Sequence, residues 1–502
     1  MAKKFYITTP IYYVNASPHI GHSYTTIAAD TLARHMRASL GDENVWFLTG
    51  TDEHGQKIKR AADDQSLSPQ EFVDKVVVQF KDLWVKLGIS NNDFIRTTED
   101  RHIVFVQKAL EILYNDGKGD IIYKDNYEGL YCTPCETFWT PMQAEGQLCP
   151  DCKRPVEKIS EVNYFFRTSK YQQWLIDHIR KNPFFIRPEV RRNEVLSFLT
   201  LNPLNDLCIS RPRERLNWGI PLPFSQDHVA YVWFDALINY ISAVGAFDEK
   251  GNYRSAWWQD DSQVVHLVGK DILRHHAVYW PIMLHALGIR PPDTIFAHGW
   301  WLMGENKMSK SRGNVASPLE MADKYGVDTY RYFLLRDVPF GLDGNFSEDA
   351  IIRRFNADLA NDLGNLVFRT LTMIEKYYGG VVPEQGTLDE KGRYIASEAK
   401  DLHEHVAAIL GVADFDFGSA LEKIWEVINL ANKYVEETKP WNLAKENKVK
   451  ELEAFIRLLV EVIRQVDICL YPFMPRTAES IRGQIGEKMI SKGNPLFPRI
   501  NL

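Results

Sequence analysis

Two histidines, His19 and His22, flank Gly21 in SPHIGHSYTT, and two lysines, Lys307 and Lys310, stand three apart in KMSKSRG. Such groups can meet the oxygens of a polyphosphate, the imidazoles as hydrogen-bond donors and the ammonium groups as cations that stabilise charge on a departing pyrophosphate. Gly21 has no side chain and lets a flat ring such as adenine approach the backbone. Taken singly, the histidine pair reads more readily as a structural or metal pair, and the lysines more readily as a solvated basic loop. A third constellation is sharper. Cys132, Cys135, Cys149 and Cys152 have the spacing C-x2-C-x13-C-x2-C, which suits four thiolates around a tetrahedral structural zinc and leaves no open position for catalysis.

Elements of regular structure must hold these groups. KFYITTPIYYV reads as a buried strand, and the apolar or aromatic residues Tyr24, Ile27, Ala28, Leu32 and Met36 then fall on a helical stripe that Gly41 closes. NVWFLTGTDEHG gives a second buried strand, and strand, helix, strand indicates a parallel sheet. The buried-strand texture returns in QVVHLVGKD and TIFAHGWWL, after a region of short aromatic and turn-rich segments around the cysteines. Each of the four strands ends in a polar cluster: PHIGH, TGTDEHG, GKDILRHH and HGWWLMGENKMSKSRG. Ligands bind outside the carboxyl ends of such strands, where helix amino termini present unpaired N–H groups.

The expected fold is therefore α/β, a Rossmann-type parallel-sheet catalytic domain in two pieces, 1–115 and 224–310, split by a connective insert over 116–223 that carries the cysteines. A link over 311–350 leads to an all-α bundle over 351–502, where the chain is nearly continuous amphipathic helix. A length of 502 residues suits several domains, and 45% hydrophobic with 25% charged residues is ordinary globular composition. The formal net charge of -7 argues against non-specific coating of nucleic acid, which needs a basic surface, but leaves room for a local RNA contact. The most apolar late stretch, FIRLLVEVIRQVDICLYPF, is broken by Arg457, Glu461, Arg464 and Asp467 at helical spacing, so no membrane span is expected. With no leader-like opening, the cytoplasm is the expected location.

His19-Ile20-Gly21-His22 together with Lys307-Met308-Ser309-Lys310-Ser311 resembles the paired signatures of class I aminoacyl-tRNA synthetases. Over essentially the whole chain, TTPIYYVNASPHIGH, TGTDEHG, VWFDALINY, GKDILRHHAVYWP and HGWWLMGENKMSKSRGN resemble the blocks of the methionyl-tRNA synthetase family. The insert, about a hundred residues, is too short for the editing domain of the leucine, isoleucine and valine relatives. The resemblance implies a methionine pocket built from Ile11, Tyr13, Trp233, Ala236, Leu237, Tyr240, Ile272, His276 and Trp280, with Asp52 taking the substrate ammonium group. A thioether gains from close polarizable aromatic contact, so such a lining is chemically apt. One departure stands beside it: position 275, usually an aromatic carbocycle in these relatives, is histidine.

The same resemblance implies that His19, Gly21, His22, Asp271, Gly299, Lys307 and Lys310 bind ATP, with Mg²⁺ bridging phosphate oxygens. His19, His22, Lys307 and Lys310 would be catalytic in making methionyl-adenylate and pyrophosphate, before methionyl passes to the 3′ end of tRNA(Met). In the helical part, Asn365 and Arg369 in DLGNLVFR, with Trp441 in EETKPWNLAK, match anticodon-reading positions, and Asn, Arg and Trp supply the edge hydrogen bonds and stacking that single-stranded bases require. The four cysteines resemble the family's zinc knuckle, with one structural Zn²⁺ per chain. Editing of homocysteine in the synthetic site, through Asp52, Tyr13 and Trp280, is also implied, and a monomer is expected.

Other classes fit less well. A nicotinamide-dependent oxidoreductase would need G-x-G-x-x-G in the first strand-to-helix turn, where SPHIGHSYTT stands. A cysteine-specific synthetase would be expected to hold zinc in the amino-acid pocket, and no pocket block contains a cysteine. A silent RNA-binding relative is opposed by two intact signatures. The basic runs RPEVRR and RPRERLNWGIP suit either tRNA phosphates or salt-bridged surface.

Overall fold

The computed structural model describes residues 3–116, 120–132, 137–139, 144–150, 152–303, 306–307, 317–411 and 415–500. The chain forms two compact units, one of Met1–Pro18, Leu40–Trp84 and Ser90–Ala297, the other of His19–Ser39, Val85–Ile89 and His298–Leu502.

The first unit is organised on a six-stranded sheet. Its strands run in the order Asp93–Arg96, Val45–Asp52, Lys4–Tyr13, Ser262–Gly269, Thr294–His298, Ile186–Arg187. Lys4–Tyr13 pairs in parallel with both neighbours, so its carboxyl end lies beside those of Val45–Asp52 and Ser262–Gly269. The central strands are apolar on both faces: Phe5, Tyr6, Ile7, Phe47, Leu48, Val264, Val265 and Leu267 are all buried. Continuous burial is what a sheet covered on both sides requires. The edge strand Ile186–Arg187 comes from within the segment read as an insert and pairs in parallel with Thr294–His298.

One irregularity shapes the site. Thr8 pairs with Leu48 but Ile11 pairs with Gly50, so the first strand carries one extra residue around Pro10. Proline has no N–H to give the ladder, and a bulge there re-aims the strand end beyond it. The register then sets Tyr13 directly opposite Asp52.

A four-stranded antiparallel sheet in the same unit, ordered Thr137–Trp139, Ile122–Cys132, Glu157–Phe166, Leu207–Cys208, carries Cys132 at the end of one strand. Arg191 and Arg192 pair with Glu194 and Glu189 at 2.8 Å each, and Arg215 with Glu161 at 2.5 Å, so those arginines of the basic runs are salt-bridged.

The second unit is mostly helical, with Ile20–Leu40, Val327–Arg336, Asn365–Tyr378, Glu390–Ile409, Phe417–Thr438 and Val449–Leu470 among its helices. Leu421, Ile424, Ile428, Phe455, Leu459 and Ile463 are fully or almost fully buried at helical spacing, which is the amphipathic pattern read from the sequence. A buried ion pair ties its parts together: Arg331 meets Asp30 at 2.8 Å with both side chains fully buried. The same guanidinium donates to the carbonyls of Phe473 and Pro472 at 2.8 and 3.0 Å. Among the described residues no helix is long and apolar enough to cross a membrane. The α/β class, followed by an all-helical region, is the one the sequence indicated.

Candidate active site

At the carboxyl edge of the sheet, buried rings are locked by hydrogen bonds that fix their tautomers. His276 Nδ1 lies 2.9 Å from the Ile272 carbonyl, which can only accept, so Nδ1 carries the proton. Nε2 then accepts from the Tyr240 hydroxyl at 2.7 Å. Burial holds this imidazole neutral, with its pKa lowered to about 4. Trp280 Nε1 donates to His266 Nε2 at 3.2 Å, which leaves His266 Nδ1 to donate to the Thr8 hydroxyl at 2.7 Å. The Tyr240 ring stacks on His266 at 4.2 Å between centroids, and Tyr6 donates to the Tyr240 carbonyl at 2.8 Å.

Most of the expected pocket residues are thereby placed in one unit. Tyr240, Trp280, Leu237, Ala236 and His276 are buried, while Ile11, Tyr13, Trp233 and Ile272 are partly exposed. Trp233, Ala236, Leu237 and Tyr240 share the helix Val232–Ser242. Tyr13 donates to the His54 carbonyl at 3.0 Å, and the Val14 N–H meets the Asp52 carbonyl at 3.4 Å. His275, the departure from the family pattern, stacks on Trp233 at 3.6 Å and 12° between planes. Burial first, then His276 and Arg274, push its pKa down to about 3, so a flat neutral ring occupies the aromatic position. Asp271 is exposed, in the short turn Lys270–Ile272 that comes after strand Ser262–Gly269.

In the second unit, His19 precedes the first turn of helix Ile20–Leu40. The Gly21 N–H donates to His19 Nδ1 at 3.1 Å, and the His19 N–H to His22 Nδ1 at 3.2 Å. Each Nδ1 is thus an acceptor, which puts the ring proton of a neutral imidazole on Nε2. The rings stack with centroids 3.7 Å apart. A Cβ at Gly21 would come within 3.0 Å of His19 Cε1, and one at Gly299 within 2.1 Å of the Leu342 carbonyl oxygen. Neither position has room for a side chain without movement. Lys307 lies in the short strand Asn306–Lys307, which pairs with Trp301–Met303; Lys310 lies outside the described residues.

Asn365 and Arg369 stand one turn apart on helix Asn365–Tyr378, Asn365 exposed and Arg369 partly so, and Trp441 is 42% exposed.

The Sγ atoms of Cys132, Cys149 and Cys152 lie within 4.8 Å of one another, and Cys132 and Cys152 are 3.5 Å apart. Cys135 lies outside the described residues. Tetrahedral zinc with Zn–S bonds of about 2.3 Å separates its sulfurs by just under 4 Å, so three converging sulfurs, two of them buried, fit a metal ion. The tight turn after Cys149, with the Cys149 N–H bonded to the Arg154 carbonyl and the Lys153 N–H to that of Cys149, brings Cys152 back toward Cys149.

Sequence reasoning did not single out Thr8, His266, His54, His102 or Asp235. His54 stands in a strand-end cluster and Asp235 inside VWFDALINY, but nothing local to either names its partner.

A family model for tRNA synthetases class I (M) matches residues 5–161 and 154–371, and one for the anticodon-binding domain of tRNA ligase matches 392–497. The methionine-tRNA ligase of Caldanaerobacter subterraneus is 48% identical over 100% of this chain and 80% of its own length. That of Bacillus subtilis is 43% identical over 99% of this chain and 78% of its own. Among solved structures, Mycobacterium tuberculosis methionyl-tRNA synthetase in complex with methionyl-adenylate superposes with a TM-score of 0.91 at 38% identity, covering 99% of this chain and 100% of that one. The chain belongs to the class I tRNA synthetases, in their methionine-tRNA ligase family.

Proposed function

We propose that the chain activates L-methionine with ATP and transfers it to tRNA(Met), with each site residue in the role its chemistry fits. The observation that carries this reading is the wall of neutral, mutually oriented rings formed by Tyr240, His276, Trp280 and His266. It offers polarizable surface and no charge to a thioether. Asp52, 8% exposed at the strand end opposite Tyr13, receives the substrate ammonium group.

The methionine carboxylate oxygen attacks the α-phosphorus of ATP; the bond to the bridging oxygen breaks and pyrophosphate leaves. His19 and His22, with protons on Nε2, donate to phosphate oxygens, and Lys307 and Lys310 hold the charge of the leaving group. Gly21, Gly299 and Asp271 seat the nucleotide. Mg²⁺, when bound with ATP, neutralises phosphate charge. A hydroxyl of the terminal tRNA ribose then attacks the acyl carbon and AMP departs.

Cys132, Cys135, Cys149 and Cys152 would hold one structural Zn²⁺, which would stiffen the wall through which the acceptor end of tRNA arrives. Asn365, Arg369 and Trp441 read the anticodon. Homocysteine lacks one methyl, a difference worth only about 1 to 3 kcal/mol in an apolar pocket, so activated homocysteine is removed by cyclisation to its thiolactone. Work in the cytoplasm accords with its bacterial relatives.

The test is ATP–pyrophosphate exchange across all twenty amino acids. Exchange with methionine alone is expected; exchange with another amino acid instead would overturn the pocket assignment, and homocysteine with ATP yielding no thiolactone would remove the editing step.

A further inference from the structure

Behind the pocket, one carboxylate is shared by two imidazoles. Asp235 is fully buried on the helix Val232–Ser242. Its Oδ2 accepts from His54 Nδ1 at 2.6 Å and its Oδ1 from His102 Nε2 at 2.7 Å. His102 Nδ1 lies 2.8 Å from the Ser242 hydroxyl. That hydroxyl also donates to the Asn239 carbonyl at 3.3 Å; toward Asp235, His102 is the donor through Nε2, because a carboxylate can only accept. Burial alone would raise the Asp235 pKa, yet His54 and His102 hold it below the usual carboxylate range.

The three side chains come from three elements. His54 lies just past the strand that ends at Asp52, His102 sits on helix Asp100–Asp116, and Asp235 on the helix that also carries Trp233, Ala236, Leu237 and Tyr240. The His54 carbonyl receives the Tyr13 hydroxyl, and Trp218 Nε1 donates to the Glu53 carbonyl next to it at 2.6 Å. The relay therefore ties together the backbone just after Asp52, the Tyr13 ring, and the helix bearing Trp233, Ala236, Leu237 and Tyr240. His102 is fully buried, so no substrate can touch it.

We infer that the His102–Asp235–His54 relay sets the geometry of amino-acid binding, with His102 and Asp235 as positioning residues for methionine rather than for ATP. The inference rests on the proposal that methionine is the amino acid bound. A buried carboxylate that loses one donor is left undersatisfied and pulls its neighbours out of place, and here those neighbours are the pocket helix and the strand end.

The test is steady-state ATP–pyrophosphate exchange on the full chain for wild type, His102→Leu, His102→Gln and Ser242→Ala, with KM measured separately for methionine and ATP. The Gln side-chain amide reaches the place of Nε2 and keeps the donor; Leu removes it. His102→Leu is expected to raise KM for methionine about tenfold or more while KM for ATP stays within about twofold, and His102→Gln to recover to within about threefold of wild type. If His102→Leu does not fold, the graded pair decides: Ser242→Ala should raise KM for methionine about two- to fivefold and leave that for ATP alone. An unmoved KM for methionine, equal changes for both substrates, or a Gln variant no better than Leu would overturn the inference while methionine exchange by wild type stands. Wild-type exchange with a different amino acid, or with none, instead overturns the methionine reading and the inference with it.

Discussion

Tyr240 donates its hydroxyl proton to His276 Nε2 at 2.7 Å while His276 donates its own to the Ile272 carbonyl at 2.9 Å. The second bond sets the tautomer that the first requires. Tyr240→Phe removes the donor and leaves a buried ring nitrogen without it, a loss of about 1 to 3 kcal/mol. Chemical denaturation should show that loss, and exchange assays a raised KM for methionine with little change for ATP. A Phe variant matching wild type in both would mean that the hydrogen bond orients nothing.

Histidines held neutral make stability fall in acid. Burial lowers the pKa of His276 to about 4, and desolvation that of the partly exposed His275 to about 3, in the folded protein, against about 6.5 when unfolded. Between these values the unfolded chain binds protons that the folded chain does not, so stability rises with pH in this window. It is complete above about 6.5 and declines as pH drops toward the folded values. Calorimetric Tm measured from pH 7 to 4.5 should decrease steadily; a flat profile would contradict neutral burial of these rings.

Gly21→Ala sets a Cβ 3.0 Å from His19 Cε1, close enough to push the imidazole a few tenths of an ångström. In the role proposed for His19, such a displacement moves a transition-state contact and lowers the rate of activation by about tenfold or more. Since Gly21 stands in the first turn of its helix, the unfolding midpoint should hardly move. Gly299→Ala is the contrasting case, because its Cβ would meet a backbone oxygen at 2.1 Å, and loss of folded protein is expected.

Cys149→Ser removes one of the converging sulfurs. Elemental analysis should find about one zinc per wild-type chain, and the Co²⁺-substituted protein should show thiolate-to-metal charge-transfer absorption that weakens in the variant. Activation of methionine without tRNA should persist, because no step of that chemistry uses the metal. Wild-type protein free of zinc after purification with the metal supplied would exclude the assignment.

Some of the candidate site was readable because its groups are local in sequence. His19, Gly21 and His22 stand together at the start of helix Ile20–Leu40, and Cys149 and Cys152 in one tight turn, so spacing already implies proximity. The relay was not readable. Asp235 lies 181 and 133 residues from His54 and His102, and a lone buried His or Asp carries no mark of its partner. Likewise Ile186–Arg187 is too short to announce itself as a strand of the main sheet.

The α/β class, the amphipathic helices and the spacing of the cysteine knuckle could be read along the chain, because hydrophobic period and residue spacing reflect backbone geometry; the two signatures stood out through their resemblance to a family. The register that faces Tyr13 with Asp52, the proton positions on His276 and His266, and the sharing of Asp235 emerge only in the folded chain. Those depend on which distant groups meet once water is excluded. In that setting each buried donor must find an acceptor, and the packing of the whole unit, rather than any one segment, chooses it.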